Sequence, residues 1–130
     1  MNYNDIVSSY KTLKDNDMET QYQLMNSASA LIDHYESELN DFKKICNLAE
    51  NKCKSIKATL SLEENIKSVA NGDRKAQSDN RYNDAYNNFI EREYEKEEIS
   101  RIIRFLSRIY YDTKELFFLN QNRYKKYKNK

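Results

Sequence analysis

The sequence predicts an all-α protein: a long antiparallel helical hairpin, or coiled coil, with a short N-terminal helix, assembling into a homo-oligomer through its C-terminal helix. Two observations predict this class. The 130 residues include no proline and one glycine, so the many turns of β-sandwiches and α/β folds have too few turn residues. Apolar residues recur with helical spacing and make up 38% of the chain, which is more than a disordered chain carries. The chain length suits a single helical domain over residues 1–130.

A short N-terminal helix is predicted over residues 1–16. Asn2 or Asn4 is suited to cap its first turn, because a short polar side chain can accept a hydrogen bond from a free backbone N–H. The polar cluster at residues 14–17 predicts a break or bend in the chain before the next helix. The apolar residues of this helix share one face: Ile6, Val7, Tyr10 and Leu13.

A long heptad helix is predicted over residues 18–70. Its apolar and small residues are spaced alternately by three and four positions, which is an a/d seam of about five heptads and implies a left-handed supercoil against another helix. The same register places Glu63 and Lys67 in the seam, so the helix is expected to leave the bundle beyond Leu60. The seam residues are Met25, Ala28, Ile32, Tyr35, Leu39, Phe42, Cys46, Ala49, Cys53, Ile56 and Leu60.

A loop is predicted over residues 71–80. Gly72 is suited to the left-handed residue after a helix C-terminus, and residues 78–80 offer an N-cap for the next helix. With one loop between them, the two long helices can fold back on each other as an antiparallel hairpin.

A C-terminal helix is predicted over residues 81–124, followed by a basic tail at 125–130 that is expected to fray. Its apolar residues cover a wider arc than one partner helix buries, and the sequence therefore predicts that other subunits cover the remainder. The predicted oligomerisation residues are Ile99, Ile102, Ile103, Leu106, Ile109, Leu116 and Phe117.

Catalysis is not expected of this composition. His34, the one histidine, is predicted on the solvated side of the long helix, so no catalytic site and no metal site are predicted. A phosphate-binding glycine loop is excluded by the single glycine, and no cofactor is expected. Cys46 and Cys53 are expected to be reduced thiols, about 10 Å apart along the helix. Without a signal peptide or an apolar span, the expected compartment is the cytoplasm, with no membrane partner.

Charge is distributed unevenly along the chain, although its net charge is +1. Residues 1–51 are acidic, whereas the remainder is basic. Cations near the end of the heptad seam predict a strip that binds a phosphate backbone without reading sequence, with Tyr82 and Tyr86 available to stack on bases. The competing interpretation is a set of helical salt bridges of the type Glu50–Lys54 and Glu63–Lys67. The predicted DNA-binding residues are Lys52, Lys54, Lys57, Lys67, Arg74, Lys75, Arg81 and Tyr82.

Several short motifs resemble one protein family. Gln21-Tyr22, Asn26 and the segment Lys57-Ala58-Thr59-Leu60 match, without a gap, the N-terminal half of the UvsY family of recombination mediators of T-even-type tailed phages. The pair Arg81-Tyr82 and the aliphatic C-terminal helix fit the same family. The similarity extends over nearly the whole chain through few identical positions.

The resemblance implies a recombination mediator in the cytoplasm of an infected bacterial cell. Members of the family form ring-like homo-oligomers, bind single-stranded DNA non-specifically, help to displace the single-strand-binding protein and load a RecA-like recombinase; they are not enzymes. The family's Lys-Ala-Arg-Leu motif is tied to DNA binding, and here Thr59 stands at the arginine position while Lys57 is retained. The alternative function is a structural or adaptor coiled coil that does not bind nucleic acid.

Overall fold

The described residues form four α-helices and no β-strand. The computed structural model describes the backbone of residues 1–128 and the side chains of residues 1–126. The all-helical prediction is therefore confirmed, and a long helix packs against another long helix. The helices are α1 (Tyr3–Lys11), α2 (Met18–Glu63), α3 (Val69–Gln77) and α4 (Asn80–Lys128).

Helix α1 begins where the sequence predicts and ends earlier. Asn2 is the N-cap, and its side-chain oxygen accepts a hydrogen bond from the backbone N–H of Asp5 at 2.8 Å. The Asp5 carboxylate in turn accepts one from the backbone N–H of Asn2 at 3.1 Å, which completes a capping box. The helix ends at Lys11, and the predicted break at residues 14–17 lies in the connection to α2.

Helix α2 presents the predicted seam to the interior. All eleven seam residues from Met25 to Leu60 are buried or half-buried, and none is exposed. The a/d assignment is therefore confirmed as the buried face of the helix. Helix α2 ends at Glu63 and not near residue 70, because the chain turns at Asn65, whose φ of 51° lies in the left-handed region.

The predicted loop at residues 71–80 is wrong, because most of it is helix α3. The break lies earlier, between Glu63 and Ser68, and Ser68 caps α3 by accepting a hydrogen bond from the backbone N–H of Asn71 at 3.1 Å. Gly72 is buried inside α3 rather than placed after a helix. A Cβ there would lie 2.9 Å from the Ser61 Oγ, so glycine allows α3 to approach α2 closely.

The chain divides into two compact units, where the sequence suggested one domain. Unit 1 comprises Met1–Ser37 and the described part of Ser100–Lys130, and unit 2 comprises Glu38–Ile99. Both long helices contribute to both units. Residues 125–128, predicted as part of a frayed tail, continue α4, whereas residues 129 and 130 lie outside the described residues.

The core of unit 1 buries apolar residues of α4 that the sequence assigned to contacts between subunits. The buried cluster joins Ile6 of α1, Leu24 and Ala28 of α2, and Leu106 and Ile109 of α4. Helix α4 therefore has neighbours on two sides within one chain, which the sequence argument attributed to other subunits. All seven predicted oligomerisation residues, from Ile99 to Phe117, are buried or half-buried in the single chain, so surplus apolar area no longer supports an oligomer. Self-association itself stays a prediction.

Gln21 connects three segments of unit 1 through a buried side chain. Its amide nitrogen donates hydrogen bonds to the carbonyl oxygens of Lys14 at 3.1 Å and Asp15 at 3.0 Å. Its amide oxygen accepts one from the Asn120 side chain at 3.2 Å, and Asn120 also donates to the Asp15 carbonyl. The connection between α1 and α2 is thereby fixed to the C-terminal part of α4.

We predict that Gln21→Leu destabilises the protein although leucine keeps much of the buried volume. The substitution removes the Gln21 donor from the Lys14 carbonyl, and it leaves the Asp15 carbonyl and the Asn120 amide with only each other. One buried unsatisfied group costs about 1–3 kcal/mol. Urea unfolding followed by far-ultraviolet circular dichroism measures the loss. Gln23→Leu, on the exposed side of the same helix, is the matched control and is expected to change the free energy of unfolding by less than about 0.5 kcal/mol.

Candidate nucleic-acid interface

All eight predicted DNA-binding residues lie in unit 2. Helix α2 carries Lys52, Lys54 and Lys57, and Lys67 lies in the connection to α3. The other four residues are on the later helices: Arg74 and Lys75 on α3, and Arg81 and Tyr82 at the start of α4.

The heptad seam separates five of these residues into two groups, where the sequence predicted one strip. Lys52 and Thr59 occupy g positions, whereas Lys57 occupies an e position, and e and g positions flank a seam on opposite sides. Two surface grooves follow this division. The g-side groove, of about 440 Å³, is lined by Lys52, Ser55, Ile56, Thr59, Arg81, Asp84, Ala85 and Asn88. The e-side groove, of about 240 Å³, is lined by Glu50, Cys53, Lys54, Lys57, Tyr82, Tyr86 and Phe89.

The g-side groove brings two cations beside Thr59, where the Lys-Ala-Arg-Leu motif that this segment resembles has an arginine. Thr59 is neutral, and its hydroxyl donates to the Ser55 carbonyl at 3.0 Å. Lys52 and Arg81 line the same groove, so they supply positive charge beside Thr59. Lys52 has no ion-pair partner among the described residues, which leaves its ammonium group available to a phosphate.

Arg81 is held by two carboxylates. Its guanidinium lies 3.1 Å from Glu63 and 3.2 Å from Asp79. The hydrogen bonds to Asp79 and then Glu63 raise the pKa of Arg81, and the hydrogen bond from the Arg81 side chain lowers the pKa of Asp79. Glu63 comes from the end of α2, so this cluster joins the two long helices.

The e-side groove combines lysines with stacked aromatic rings. The rings of Tyr82 and Tyr86 are nearly parallel, with centroids 6.0 Å apart and an angle of 18° between their planes. Tyr86 is 44% exposed, so its ring is accessible. The ammonium of Lys54 pairs with Glu50 at 3.3 Å, and Lys57 pairs with Asp73 of α3, whose hydrogen bond raises the pKa of Lys57. This side offers both cations and a stacking surface.

The ion pairs determine which predicted cations are available. Lys75 of α3 pairs with Glu64 at 3.3 Å, whereas Lys67 and Arg74 are exposed and have no ion-pair partner in the described part of the chain. Exposed ion pairs contribute about 0–1 kcal/mol, so a phosphate can replace a carboxylate at low cost. Paired lysines in this unit are therefore not excluded as phosphate ligands.

Sequence reasoning found the cations and missed most of their counter-ions. The Glu50–Lys54 pair was readable from its i,i+4 spacing and is confirmed. The expected Glu63–Lys67 pair is wrong, because α2 ends at Glu63 and its carboxylate contacts Arg81 instead. Asp73 was placed in a loop, so its contact with Lys57 had no signal in the sequence.

The groups considered for other chemistry have ordinary structural surroundings. Cys46 and Cys53 are free, buried thiols, and burial raises the pKa of each. His34 is exposed, with its ring 5.4 Å from that of Tyr35. Within residues 1–128 no group of histidine, cysteine and carboxylate side chains is arranged to hold a metal ion. None of the described helices is long and apolar enough to cross a membrane.

Comparison with known proteins gave no relative. No protein-family model matches the chain, and no curated protein and no solved structure matches it either.

We predict that Asp79, through its hydrogen bonds with Arg81, makes stability depend on pH in acid. Because the pKa of Asp79 is lower in the folded chain than its ordinary value of 3.8, its contribution is complete above that pH and is lost as pH falls through the folded pKa. Asp79→Asn should therefore flatten the fall in unfolding free energy below about pH 4. Urea unfolding across this range tests it, with Asp84→Asn, an exposed carboxylate on α4, as the control. A parallel pH dependence for parent and Asp79→Asn would contradict the assignment.

Proposed function

We propose that this protein is a recombination mediator that binds single-stranded DNA non-specifically, helps to displace single-strand-binding protein and loads a RecA-like recombinase. The observation that carries the DNA-binding part is the e-side groove, where Lys54 and Lys57 lie beside the stacked, partly exposed rings of Tyr82 and Tyr86. Single-strand-binding surfaces combine cations for the backbone with aromatic rings for the bases. The mediator role rests on the resemblance of the sequence motifs to the UvsY family.

Binding in this proposal is an exchange of ions. Phosphates take the place of Asp73 beside Lys57 and of Glu50 beside Lys54, and they add contacts to unpaired Lys52, Lys67 and Arg74. Bases stack on the tyrosine rings, which accept any base because every base has a π-face. None of these groups is arranged to read base edges, so the affinity comes from charge and stacking and is independent of sequence.

The loading step requires that DNA be held by several weak sites. A strand held by many exchangeable contacts can be handed to a recombinase one segment at a time, because no single contact holds it tightly. Homo-oligomerisation, also part of this proposal, multiplies those sites, and linked sites exceed the affinity of one site by factors on the order of a hundred or more.

An adaptor coiled coil that does not bind nucleic acid is the second candidate. One observation favours it: four of the seven predicted cations are already paired with carboxylates of the same chain, namely Lys54, Lys57, Lys75 and Arg81. Such pairs stabilise the docking of α3 and the α2–α4 contact without any ligand. Titration with labelled oligo-dT at low salt separates the two functions, because an adaptor of this kind would not bind it.

We predict that the affinity for oligo-dT falls steeply as salt rises. For single strands the log–log slope is about −0.7 per neutralised phosphate, so engagement of the three unpaired cations alone gives about −2, and exchange of the paired cations makes it steeper. Fluorescence anisotropy at a series of salt concentrations measures the slope. An affinity independent of salt would contradict the electrostatic account, and a strong preference for one base sequence would contradict backbone binding.

We predict that Lys57→Ala and Asp73→Asn change DNA affinity in opposite directions. Removing the Lys57 ammonium group removes a phosphate contact and reduces the salt slope by about 0.7, whereas removing the Asp73 charge frees Lys57 and tightens binding. Helicity should be retained in both variants, since Lys57 lies beside the seam and not within it. Lys43→Ala, an exposed lysine on the same helix, is the control.

Opposite signs distinguish a DNA contact from a structural one. If Lys57 acts only by docking α3 on α2, either substitution loosens α3 and both variants bind DNA equally weakly or unchanged. That result, with normal binding by the parent, would show that the e-side groove is not the DNA site.

A further inference from the structure

The exposed side of α4 in unit 1 carries a row of arginines and aromatic rings. Arg101, Arg104, Arg108 and Tyr111 follow one another with spacings of three, four and three residues, which places them along one line on the helix surface. All four are exposed, and Tyr111 is 64% exposed. Phe118 continues the row two turns later and is 45% exposed. We call these five residues the arginine row.

The arginine row lies away from the core of its own unit. Leu106, Ile109 and Thr113 of the same helix are buried, and they occupy the side that faces α1 and α2. Packing therefore does not explain why three arginines occupy successive positions of the outer line. A solvated helix face of mixed charge usually places acids between its cations, because i,i+3 and i,i+4 pairs stabilise the helix.

The preceding part of α4 shows that mixed pattern, and Arg104 and Arg108 depart from it. Arg92 pairs with Glu95 at 2.9 Å and Lys96 pairs with Glu93 at 3.1 Å. Arg104 and Arg108 have no ion-pair partner among the described residues. Asp112, four residues after Arg108, instead accepts a hydrogen bond from the Tyr10 hydroxyl at 2.8 Å.

We propose that the arginine row is a second binding surface for the backbone of single-stranded nucleic acid, carried by unit 1, with Arg104 and Arg108 as phosphate ligands and Tyr111 as a stacking platform. The proposal rests on the proposed function, in which the chain binds single-stranded DNA, and adds a surface that the sequence motifs did not indicate. The predicted interface of unit 2 contains none of these residues.

The chemistry of the row fits phosphates. Arginine presents a planar fork of N–H donors that can bind two oxygens of one phosphate. Because the guanidinium is weakly hydrated, its desolvation on contact costs little free energy. From Arg101 to Arg108 the helix rises about 10 Å, so the arginines can follow the backbone of one strand past more than one phosphate. Glu115, also exposed on this line, limits the basic part of the row to the turns before it.

The aromatic members favour nucleic acid over an acidic peptide. Carboxylates of a peptide would be satisfied by the arginines alone and would gain little from an exposed ring. Unpaired bases stack on aromatic side chains with about 1–3 kcal/mol per base, and Tyr111 directly follows the last arginine of the row. A duplex would present its phosphates but not its base faces, so the row is suited to a single strand.

The first test removes charge from the row and from nowhere else. The double variant Arg104→Gln, Arg108→Gln in the full chain is compared with Lys43→Gln, Lys44→Gln, which removes the same charge from exposed positions of α2 in unit 2. We expect the arginine variant to bind oligo-dT about tenfold or more weakly at low salt, and its log–log salt slope to lose about 1.4, since two phosphates are no longer neutralised. The lysine variant should match the parent.

The second test reports contact directly and keeps every charge. The chain has no tryptophan, so Tyr111→Trp gives a single indole on the row, and Ser29→Trp gives one on an exposed part of α2 in the same unit. Oligo-dT should quench the indole fluorescence of the Tyr111→Trp protein at a concentration matching the anisotropy titration, and it should leave the Ser29→Trp protein unchanged. This fluorescence signal does not depend on whether the arginine variant folds.

The outcomes are distinct. If the parent binds oligo-dT while the arginine variant keeps the parent slope and the indole at position 111 is not quenched, the arginine row is not a binding surface and the proposed function stands. If the parent does not bind oligo-dT, the proposed function fails and the row fails with it. If poly-glutamate of equal charge binds the parent as tightly as oligo-dT and loses that binding in the arginine variant, the partner is an acidic peptide and the nucleic-acid assignment is overturned.

Discussion

The unbroken heptad seam of α2 is the constraint on which the rest of the structure depends. A helix of 46 residues with one apolar stripe is stable in water only if another surface covers that stripe, and α4 is the element long enough to do so. The seam then determines where other residues lie. Positions on its e side and g side become the walls of two grooves, so the register that builds the core also places Lys52 in one groove and Lys54 and Lys57 in the other. Changing Lys52, Lys54 or Lys57 changes a groove wall and leaves the seam intact.

The two short helices pack against the long pair through different interactions. Helix α1 adds Ile6 and its neighbours to an apolar core, and the buried amide of Gln21 fixes its connection to the rest of unit 1. Helix α3 buries little more than Gly72 and Ala76. The ion pair Lys57–Asp73 connects it to α2, and the pair Lys75–Glu64 connects it to the residue that follows α2. Hydrophobic burial responds weakly to salt, whereas exposed ion pairs are screened by it. Helix α3 is therefore the element of unit 2 whose docking is most sensitive to ionic conditions.

Competition between carboxylates and phosphates connects the fold to the proposed function. In unit 2 the cations nearest the tyrosine pair are held by acids of the same chain, so in the proposed binding a phosphate replaces a carboxylate and the net gain in free energy is modest. In the arginine row of unit 1, Arg104 and Arg108 have no such partner among the described residues, and a phosphate contact there displaces only water and counter-ions. A protein that must bind a strand and then release it to a recombinase benefits from contacts of moderate strength, since a tightly held strand would block the transfer.

The sequence by itself determined the features that arise from local periodicity and capping. Spacings within one helix or one turn are enough to predict the seam from Met25 to Leu60, the break at residues 14–17 and the adjacency of Tyr82 and Tyr86. They also limit the N-cap of α1 to Asn2 or Asn4. Tertiary structure alone decided the rest. The sequence predicted Gly72 just after a helix, but it lies within α3. Glycine is suited both to a left-handed helix end and to a close approach between helices, and only the contact with Ser61 shows which of the two applies. The width of the apolar arc of α4 could be predicted from the sequence, but the packing of α1 against part of that arc could not, because periodicity gives the size of a buried face and not the element that buries it.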